Sequence, residues 1–128
     1  MKILKQEYVI NAAPQKIWEA LTNVDLIDKW GGGPAVMDDK VNTHFKLWDG
    51  EIFGKNIEAI PFKKLKQEWY GGKWDKPSIL TFSISEEHGK TKVTLVQEDV
   101  PDEEYKDVEE GWKIYYMNPL KELVEKEN

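Results

Sequence analysis

The segment that decides the fold is 101-PDEEYKDVEEGWKIYYMNPLKELVEK-126. Its apolar residues recur at steps of three and four, the spacing that places side chains on one face of an α-helix. They are Tyr105, Val108, Trp112, Tyr115, Tyr116, Pro119, Leu120, Leu123 and Val124. Most of the remaining positions are Glu, Asp or Lys. Because a helix is seldom stable without packing, this pattern predicts a broad surface for the helix to lie against.

The two prolines of this segment have different roles. Pro101 sets φ at the start of the helix, and the acidic residues Asp102 and Glu103 follow at the positive end of the helix dipole. Pro119 lies inside the helix, where it removes one backbone hydrogen bond and clashes with the carbonyl group of Tyr115. We therefore expect a kink near Pro119. A kinked helix does not close tightly over its support, so this predicts a cavity beneath it.

The residues before the C-terminal helix predict a sheet on which that helix can lie. A strand at 3–11 precedes two short helices at 15–22 and 24–30, and alternating patterns follow at 35–37, 42–48, 51–60, 63–70, 78–85 and 91–98. The run Gly31-Gly32-Gly33 predicts a tight exit from the second helix. Asp49-Gly50 is typical of a hairpin turn that needs positive φ, and Gly54 in the next strand predicts a bend or bulge. Short strands joined by tight turns indicate an antiparallel sheet. The predicted fold is α+β, in the order β-α-α-β6-α, with a curved antiparallel sheet wrapped around a long C-terminal helix in one domain of 128 residues.

Composition excludes several classes of function. The net charge of −6 argues against a nucleic-acid-binding protein, which needs a basic face. The chain contains no cysteine and two histidines, so we expect no disulfide, zinc site or cofactor. We find neither a signal peptide nor a membrane span, which makes a cytoplasmic location the expectation. The six tryptophans fit either a core of large rings or an aromatic pocket.

The chain resembles the START-like (SRPBCC) helix-grip superfamily and, within it, the C-terminal domain of the activators of the heat-shock-90 ATPase. The residues that carry the resemblance are spread along nearly the whole chain. They are Ala13-Pro14 with Ile17 and Trp18, Asp49-Gly50 with Gly54, Pro61 with Leu65 and Trp69, Leu80-Thr81-Phe82, and Gly111-Trp112 with Tyr115-Tyr116. In the eukaryotic activators a separate N-terminal domain makes much of the chaperone contact. This sequence has no counterpart to that domain, so the resemblance implies binding more than ATPase stimulation.

The sequence and the resemblance leave three candidate functions for this chain. The resemblance implies a non-enzymatic, co-chaperone-type protein binder of a heat-shock-90 chaperone, active in the stress response as a monomer or weak dimer. The alternative is a carrier or sensor of a small apolar ligand held between the sheet and the C-terminal helix. An enzyme is the third, although no catalytic constellation is present. The expected ligand-binding residues are Tyr8, Phe45, Trp69, Phe82, Leu95, Gln97, Trp112 and Tyr116.

Two polar residues in the middle of predicted strands leave an open alternative. Glu58 and Gln97 each orient a ligand if their side chains face the cavity, since a few polar groups fix orientation in otherwise apolar sites. If they face solvent instead, neither has that role.

Overall fold

A six-stranded antiparallel sheet forms the body of the molecule, in the order β1-β6-β5-β4-β3-β2. The computed structural model describes residues 1–72 and 74–126. The strands are β1 (Lys2–Ile10), β2 (His44–Leu47), β3 (Ile52–Ile60), β4 (Lys64–Gly71), β5 (Ser78–Glu87) and β6 (Lys90–Val100). Two short helices, α1 (Pro14–Thr22) and α2 (Val24–Trp30), connect β1 to the rest of the sheet.

One face of the sheet carries the core. Alternate residues of the central strands are buried, as period-two patterning requires; on β4 and β5 they include Leu65, Trp69, Leu80 and Phe82. The pairing places Phe82 of β5 opposite Leu65 on one neighbouring strand and Leu95 on the other. These three side chains are fully buried, so the strand register fixes a continuous apolar surface.

The C-terminal helix lies over this buried face. After a 3-10 turn (Asp102–Glu104) it consists of α3 (Tyr105–Gly111), a π-helical turn (Trp112–Met117) and α4 (Asn118–Lys126). The helix is attached to the sheet by its middle segment, where the buried Trp112 ring packs 5.8 Å from Phe82. The prediction that the C-terminal helix packs on a curved antiparallel sheet is confirmed.

The irregularity in this helix begins about two turns before Pro119. We expected a kink near Pro119, whereas the π-helical turn begins at Trp112. Within it the backbone N–H of Asn118 donates to the carbonyl of Lys113, five residues back. Pro119 has no N–H to continue the α-helical ladder, and the wider turn ends two residues before it, at Met117. Trp112 and Tyr116, both in this turn, are buried.

The helical pair α1–α2 closes the far end of the sandwich. Asn23 lies between the two helices and caps α2, its Oδ1 accepting a hydrogen bond from the N–H of Asp25 at 2.9 Å. Trp30 Nε1 donates to the carbonyl of Ala20 at 2.8 Å, which ties α2 to α1. Gly31 ends α2 in the left-handed region at φ 104°, as the glycine run predicts for an exit from a helix.

Two details of the strands differ from the sequence prediction. The predicted strand at 35–37 is reduced to a single bridge between Val36 and Lys46, so five strands follow α2 in the described part of the chain. The bulge in β3 falls between Asn56 and Glu58 and not at Gly54. Gly54 is required for another reason: a Cβ there would lie 1.9 Å from the carbonyl oxygen of Glu68 on β4.

Candidate functional site

A cleft of about 690 Å³ lies between the first half of the C-terminal helix and one end of the sheet. The sheet contributes the start of β3, the end of β4 and the loop after β4. The helical segment contributes the end of the 3-10 turn, α3 and the π-helical turn. The lining residues are Trp48, Glu51, Ile52, Trp69, Gly71, Gly72, Trp74, Glu104, Asp107, Val108, Gly111, Trp112, Tyr115 and Tyr116.

Aromatic rings form most of the wall. Trp69 and Trp112 are stacked with ring centroids 5.0 Å apart and planes at 22°. Tyr116 packs 4.7 Å from Trp112 and 6.2 Å from Trp48, and Trp74 packs 6.4 Å from Trp69. Because these rings pack against one another as well as lining the cleft, the wall is held in place without a ligand.

A buried chain of hydrogen bonds fixes the position of Trp112. Its Nε1 donates to Gln97 Oε1 at 2.7 Å, and Gln97 Nε2 donates to Ser78 Oγ at 2.7 Å. Ser78 Oγ in turn donates to the backbone carbonyl of Trp69 at 3.3 Å. We call Trp112, Gln97 and Ser78 the latch. Gln97 and Ser78 are fully buried and Trp112 is 2% exposed. Water therefore does not compete for the hydrogen bonds by which the latch joins the helix to the sheet.

Trp69 has an unused hydrogen-bond donor. Its side chain is buried at 6% exposure, and its Nε1 has no acceptor among the described residues. A buried donor without an acceptor costs about 1–3 kcal/mol, so native proteins keep few of them. Trp69 is also a lining residue, but its Nε1 atom is itself shielded, so the unpaired N–H does not face the open cleft.

The charged lining residues are all acidic in the described part of the cleft. Glu51 comes from the start of the β3 hairpin, and Glu104 and Asp107 come from the first turns of the C-terminal helix. No ion pair joins any of the three to a lysine of residues 1–72 or 74–126. The cleft thus combines an aromatic interior with a negative rim.

The structure distributes the predicted ligand-binding residues over four environments. Trp69, Trp112 and Tyr116 line the cleft. Phe45, Phe82 and Leu95 are at most 1% exposed and lie in the core. Gln97 belongs to the latch, with its amide oxygen and nitrogen both engaged, and Tyr8 lies apart on β1.

Tyr8 is linked to the C-terminal helix through a neighbouring residue. Its hydroxyl donates to Gln6 Oε1, and Gln6 Nε2 donates to the carbonyl of Glu109 at 3.0 Å. Burial raises the pKa of Tyr8 to about 12 and also raises the pKa of the fully buried Tyr116. Both phenols therefore remain protonated well above neutral pH.

Glu58 lies at the surface of β3. Its carboxylate pairs with Lys64 Nζ at 2.7 Å, and this hydrogen bond holds the pKa of Glu58 below its usual value. The side chain is 42% exposed. Glu58 is not among the lining residues of the cleft.

Several lining residues were missed by the sequence analysis. Trp48 lies in the turn after β2, where Trp48 and Asp49 have positive φ, and Trp74 lies in the loop after β4. Trp48 ends the predicted strand at 42–48 on the face opposite Phe45, and Trp74 falls outside every predicted strand, so the inward-facing pattern selects neither. The sequence signal that could have found Trp48 and Trp74 is the high tryptophan count, because both lie beside glycine-containing turns.

Neither a metal site nor a membrane-spanning helix is found among the described residues. No group of three or more His, Asp or Glu side chains in residues 1–72 and 74–126 is arranged to hold a metal ion. No helix in these ranges has the length and apolar character needed to span a bilayer.

Sequence comparisons match most of the chain to one family. The model of the family described as "Activator of Hsp90 ATPase homolog 1-like protein" matches residues 11–125. The mouse "Activator of 90 kDa heat shock protein ATPase homolog 1" is 21% identical over 121 residues, covering 93% of this chain and 35% of the relative. The Dictyostelium discoideum homolog is 27% identical over 126 residues, covering 94% and 32%. The chain spans about a third of the length of these relatives.

Structural comparisons give the same fold. The crystal structure of an HSP90 activator from Plasmodium falciparum superposes with a TM-score of 0.89 at 19% identity, covering 97% of this chain and 96% of that one. The solution structure of the Aha1 dimer from Colwellia psychrerythraea gives 0.85 at 21% identity, covering 98% and 97%. The predicted helix-grip fold is therefore confirmed.

Proposed function

The chain belongs to the family of Activator of Hsp90 ATPase homolog 1-like proteins, and from this premise we propose that it is a non-enzymatic binding domain of the co-chaperone type. Its partner is a heat-shock-90-type chaperone. The observation that carries the proposal is the family match over residues 11–125, together with the names of the mouse and Dictyostelium relatives as activators of that chaperone's ATPase. The proposal concerns binding and a cytoplasmic, stress-related role.

The C-terminal helix offers a surface suited to a protein partner. Its outer face presents Ile114 at 56% exposure and Tyr115 at 64% exposure. Glu109 and Glu110 lie one turn earlier on the same helix. Exposed apolar side chains bordered by charge are typical of protein contact sites, where the charges chiefly set the association rate.

Binding to a purified heat-shock-90 chaperone, measured by calorimetry, tests this proposal. We expect a complex at micromolar concentration, and we expect the double charge reversal Glu109→Lys/Glu110→Lys to weaken it about tenfold. The matched control is Glu86→Lys/Glu87→Lys, which makes the same charge change at the end of β5. An absence of binding at several hundred micromolar chaperone would contradict the proposal.

A specific observation favours a second candidate function, the carriage of a small ligand. The 690 Å³ cleft lies within the range of about 300–1,000 Å³ that small-molecule sites occupy. Its aromatic wall and few polar groups are also typical of such sites.

Native mass spectrometry of the purified protein tests the second candidate. We expect an adduct of a few hundred daltons, and we expect the melting temperature to fall when it is removed, because a ligand that binds only the folded state stabilises it by mass action. The same spectrum reports whether the chain is a monomer or a weak dimer. A bare mass, with no change of melting temperature on adding apolar compounds, counts against the carrier function.

A further inference from the structure

We propose that the free edge of β1 is an interface at which two copies of this chain pair and join their sheets. The two β1 strands run antiparallel about a two-fold axis, with Gln6 opposite Gln6 of the second copy. In this register Lys5 faces Glu7 across the interface, and Ile3 faces Val9, each pair occurring twice. The inference depends on neither the chaperone partner nor the ligand, and it names a surface and its occupant.

The first argument is the open edge of β1. This nine-residue strand ends the sheet and pairs only with β6. Among residues 1–72 and 74–126, β6 is the only segment that forms backbone hydrogen bonds with residues 2–9. The opposite edge differs, because β2 has four residues and the bridge between Val36 and Lys46 lies along its outer side. An unpaired edge of this length is a template for another strand.

The outer face of β1 is open to a partner. The C-terminal helix lies on the inner face, where Gln6 Nε2 donates to the carbonyl of Glu109 at 3.0 Å. On the outer face Ile3 is 65% exposed and Val9 is 55% exposed, so both leave apolar surface in water. The side chains between them, one cation and one anion, are also exposed. The outer face therefore reads, in order, Ile3, Lys5, Glu7 and Val9.

This order is self-complementary in one register. Directly opposed residues of an antiparallel pair point to the same face and interact there. With Gln6 opposite Gln6, each Lys5 meets a Glu7. A shift of the register by two residues places either Lys5 opposite Lys5 or Glu7 opposite Glu7. A shift by one residue opposes the outer face of one copy to the inner face of the other. The two charges therefore favour one register over its neighbours.

Charged residues on an edge strand often have the opposite role of preventing association. Two like charges would serve that role in all of these registers, whereas Lys5 and Glu7 have opposite signs. Their contacts within the chain are also loose. The Glu7 carboxylate lies 3.9 Å from Lys5 Nζ and 3.6 Å from Lys92 Nζ, and both distances exceed that of a hydrogen bond. Lys5 and Glu7 thus remain able to pair with a second copy.

Sedimentation velocity over a range of protein concentrations measures the association. One pair of edge strands makes a smaller interface than the roughly 1,600 Å² of stable complexes, so we expect a reversible dimer with a Kd of about 10–100 μM. Lys5→Glu and Glu7→Lys are each expected to raise this Kd at least about tenfold, because each places like charges opposite one another twice. The matched controls Lys55→Glu and Glu68→Lys make the same charge changes on β3 and β4 and are expected to leave it unchanged.

Mixing the two β1 variants is the decisive measurement. When Lys5→Glu protein meets Glu7→Lys protein, every opposed charged pair again contains one acid and one lysine. We expect the mixture to form a dimer with about the affinity of the parent, although each variant alone stays monomeric. Labelling one variant with ¹⁵N lets native mass spectrometry resolve the mixed dimer. A folding defect in either variant would not produce this rescue.

Disulfide formation tests the register. The chain contains no cysteine, so introduced thiols report only on their own positions. Directly opposed strand residues have Cα atoms about 4.5–5.5 Å apart, which a disulfide can span. We expect a mixture of Lys5→Cys and Glu7→Cys proteins to form a covalent dimer at least about tenfold faster than either variant alone, since neither position faces itself.

Each result supports or overturns the inference. A parent protein that stays monomeric at millimolar concentration overturns it. A dimer whose Kd is unchanged by Lys5→Glu uses another surface and also overturns it. If both charge variants weaken the dimer and their mixture fails to restore it, the proposed register is wrong. Binding of the chaperone and carriage of a ligand are decided separately by calorimetry and by the mass of the purified protein.

Discussion

Replacing Gln97 by methionine tests how the C-terminal helix is held on the sheet. Gln97 accepts from Trp112 Nε1 and donates to Ser78 Oγ, each at 2.7 Å, in a site closed to solvent. Methionine has a similar length and shape but offers neither an amide oxygen nor an amide nitrogen. The replacement therefore removes the latch with little change of volume.

The expected magnitude follows from the groups left unpaired. Trp112 Nε1 becomes a buried donor without an acceptor, which costs about 1–3 kcal/mol. Ser78 keeps its hydrogen bond to the carbonyl of Trp69 and contributes less. We expect a loss of about 2 kcal/mol in the free energy of unfolding for Gln97→Met. For a domain of this size each kcal/mol corresponds to about 4 °C, so the melting temperature falls by about 8 °C.

A double-mutant cycle with Trp112→Phe isolates the hydrogen bond from the packing. Trp112→Phe alone leaves Gln97 Oε1 unpaired and reduces the buried ring surface. When both residues are changed, neither an unpaired indole N–H nor an unpaired amide oxygen remains at this position. The loss of unfolding free energy in the double variant is therefore expected to be about 1–2 kcal/mol smaller than the sum of the two single losses. The assay is urea unfolding followed by circular dichroism. Additive losses, or a Gln97→Met protein as stable as the parent, would refute the latch.

Three further predictions concern other parts of the structure. Gly54→Ala is expected to cost about 1–3 kcal/mol of unfolding free energy, because its Cβ would lie 1.9 Å from the Glu68 carbonyl oxygen; thermal melts that match the parent protein would contradict this. Gly111→Ala is expected to raise stability by about 0.5–1 kcal/mol, since the residue is helical and nothing lies within 4 Å of an added Cβ; a lower melting temperature would count against the described helix packing. Burial raises the pKa of Tyr8 from 10.0 to about 12, so the contribution of this phenol to stability is constant below pH 10 and is lost between pH 10 and 12, where only the unfolded chain loses this proton. Tyr8→Phe should reduce that fall in alkaline urea titrations, and an identical decline in both proteins would exclude the effect.

The layered architecture was predictable from pattern alone. The helix at 101–126 was identified because its apolar spacing extends over many turns, and the strands because alternation with period two places Leu80, Phe82 and Leu95 on one face. The Asp49-Gly50 turn was predictable because its chemistry is local, and both residues have positive φ.

The cleft was predictable only in part. Alternation identifies the face of the sheet on which a residue lies, but not how closely the helix approaches it. Phe45 and Phe82 therefore share their face with Trp69, yet only Trp69 lines the cleft. At the π-helical turn the helix meets the sheet through the Trp112 ring, which packs on Trp69 and Phe82 and bonds Gln97, and these long-range contacts follow from no local pattern.

Residues outside regular elements were the hardest to assign. Trp48 and Trp74 reach the cleft from a turn and a loop, where side-chain direction follows from backbone torsions that no periodic pattern encodes. Gln97 was noticed as a polar residue in a buried strand, but its partner lies 15 positions away on another element. Only the structure shows that Gln97 binds the indole N–H of Trp112 and is not free to bind a ligand.

Solution NMR tests most directly whether the C-terminal helix lies on the concave face and is held there by its π-helical turn. We predict strong nuclear Overhauser effects from the Trp112 ring to the Trp69 and Phe82 rings, whose centroids lie 5.0 and 5.8 Å away. We also predict slow hydrogen exchange at Trp112 Nε1. A Trp112 ring without cross-peaks to the sheet, with an indole proton that exchanges as fast as in a short peptide, would contradict this arrangement.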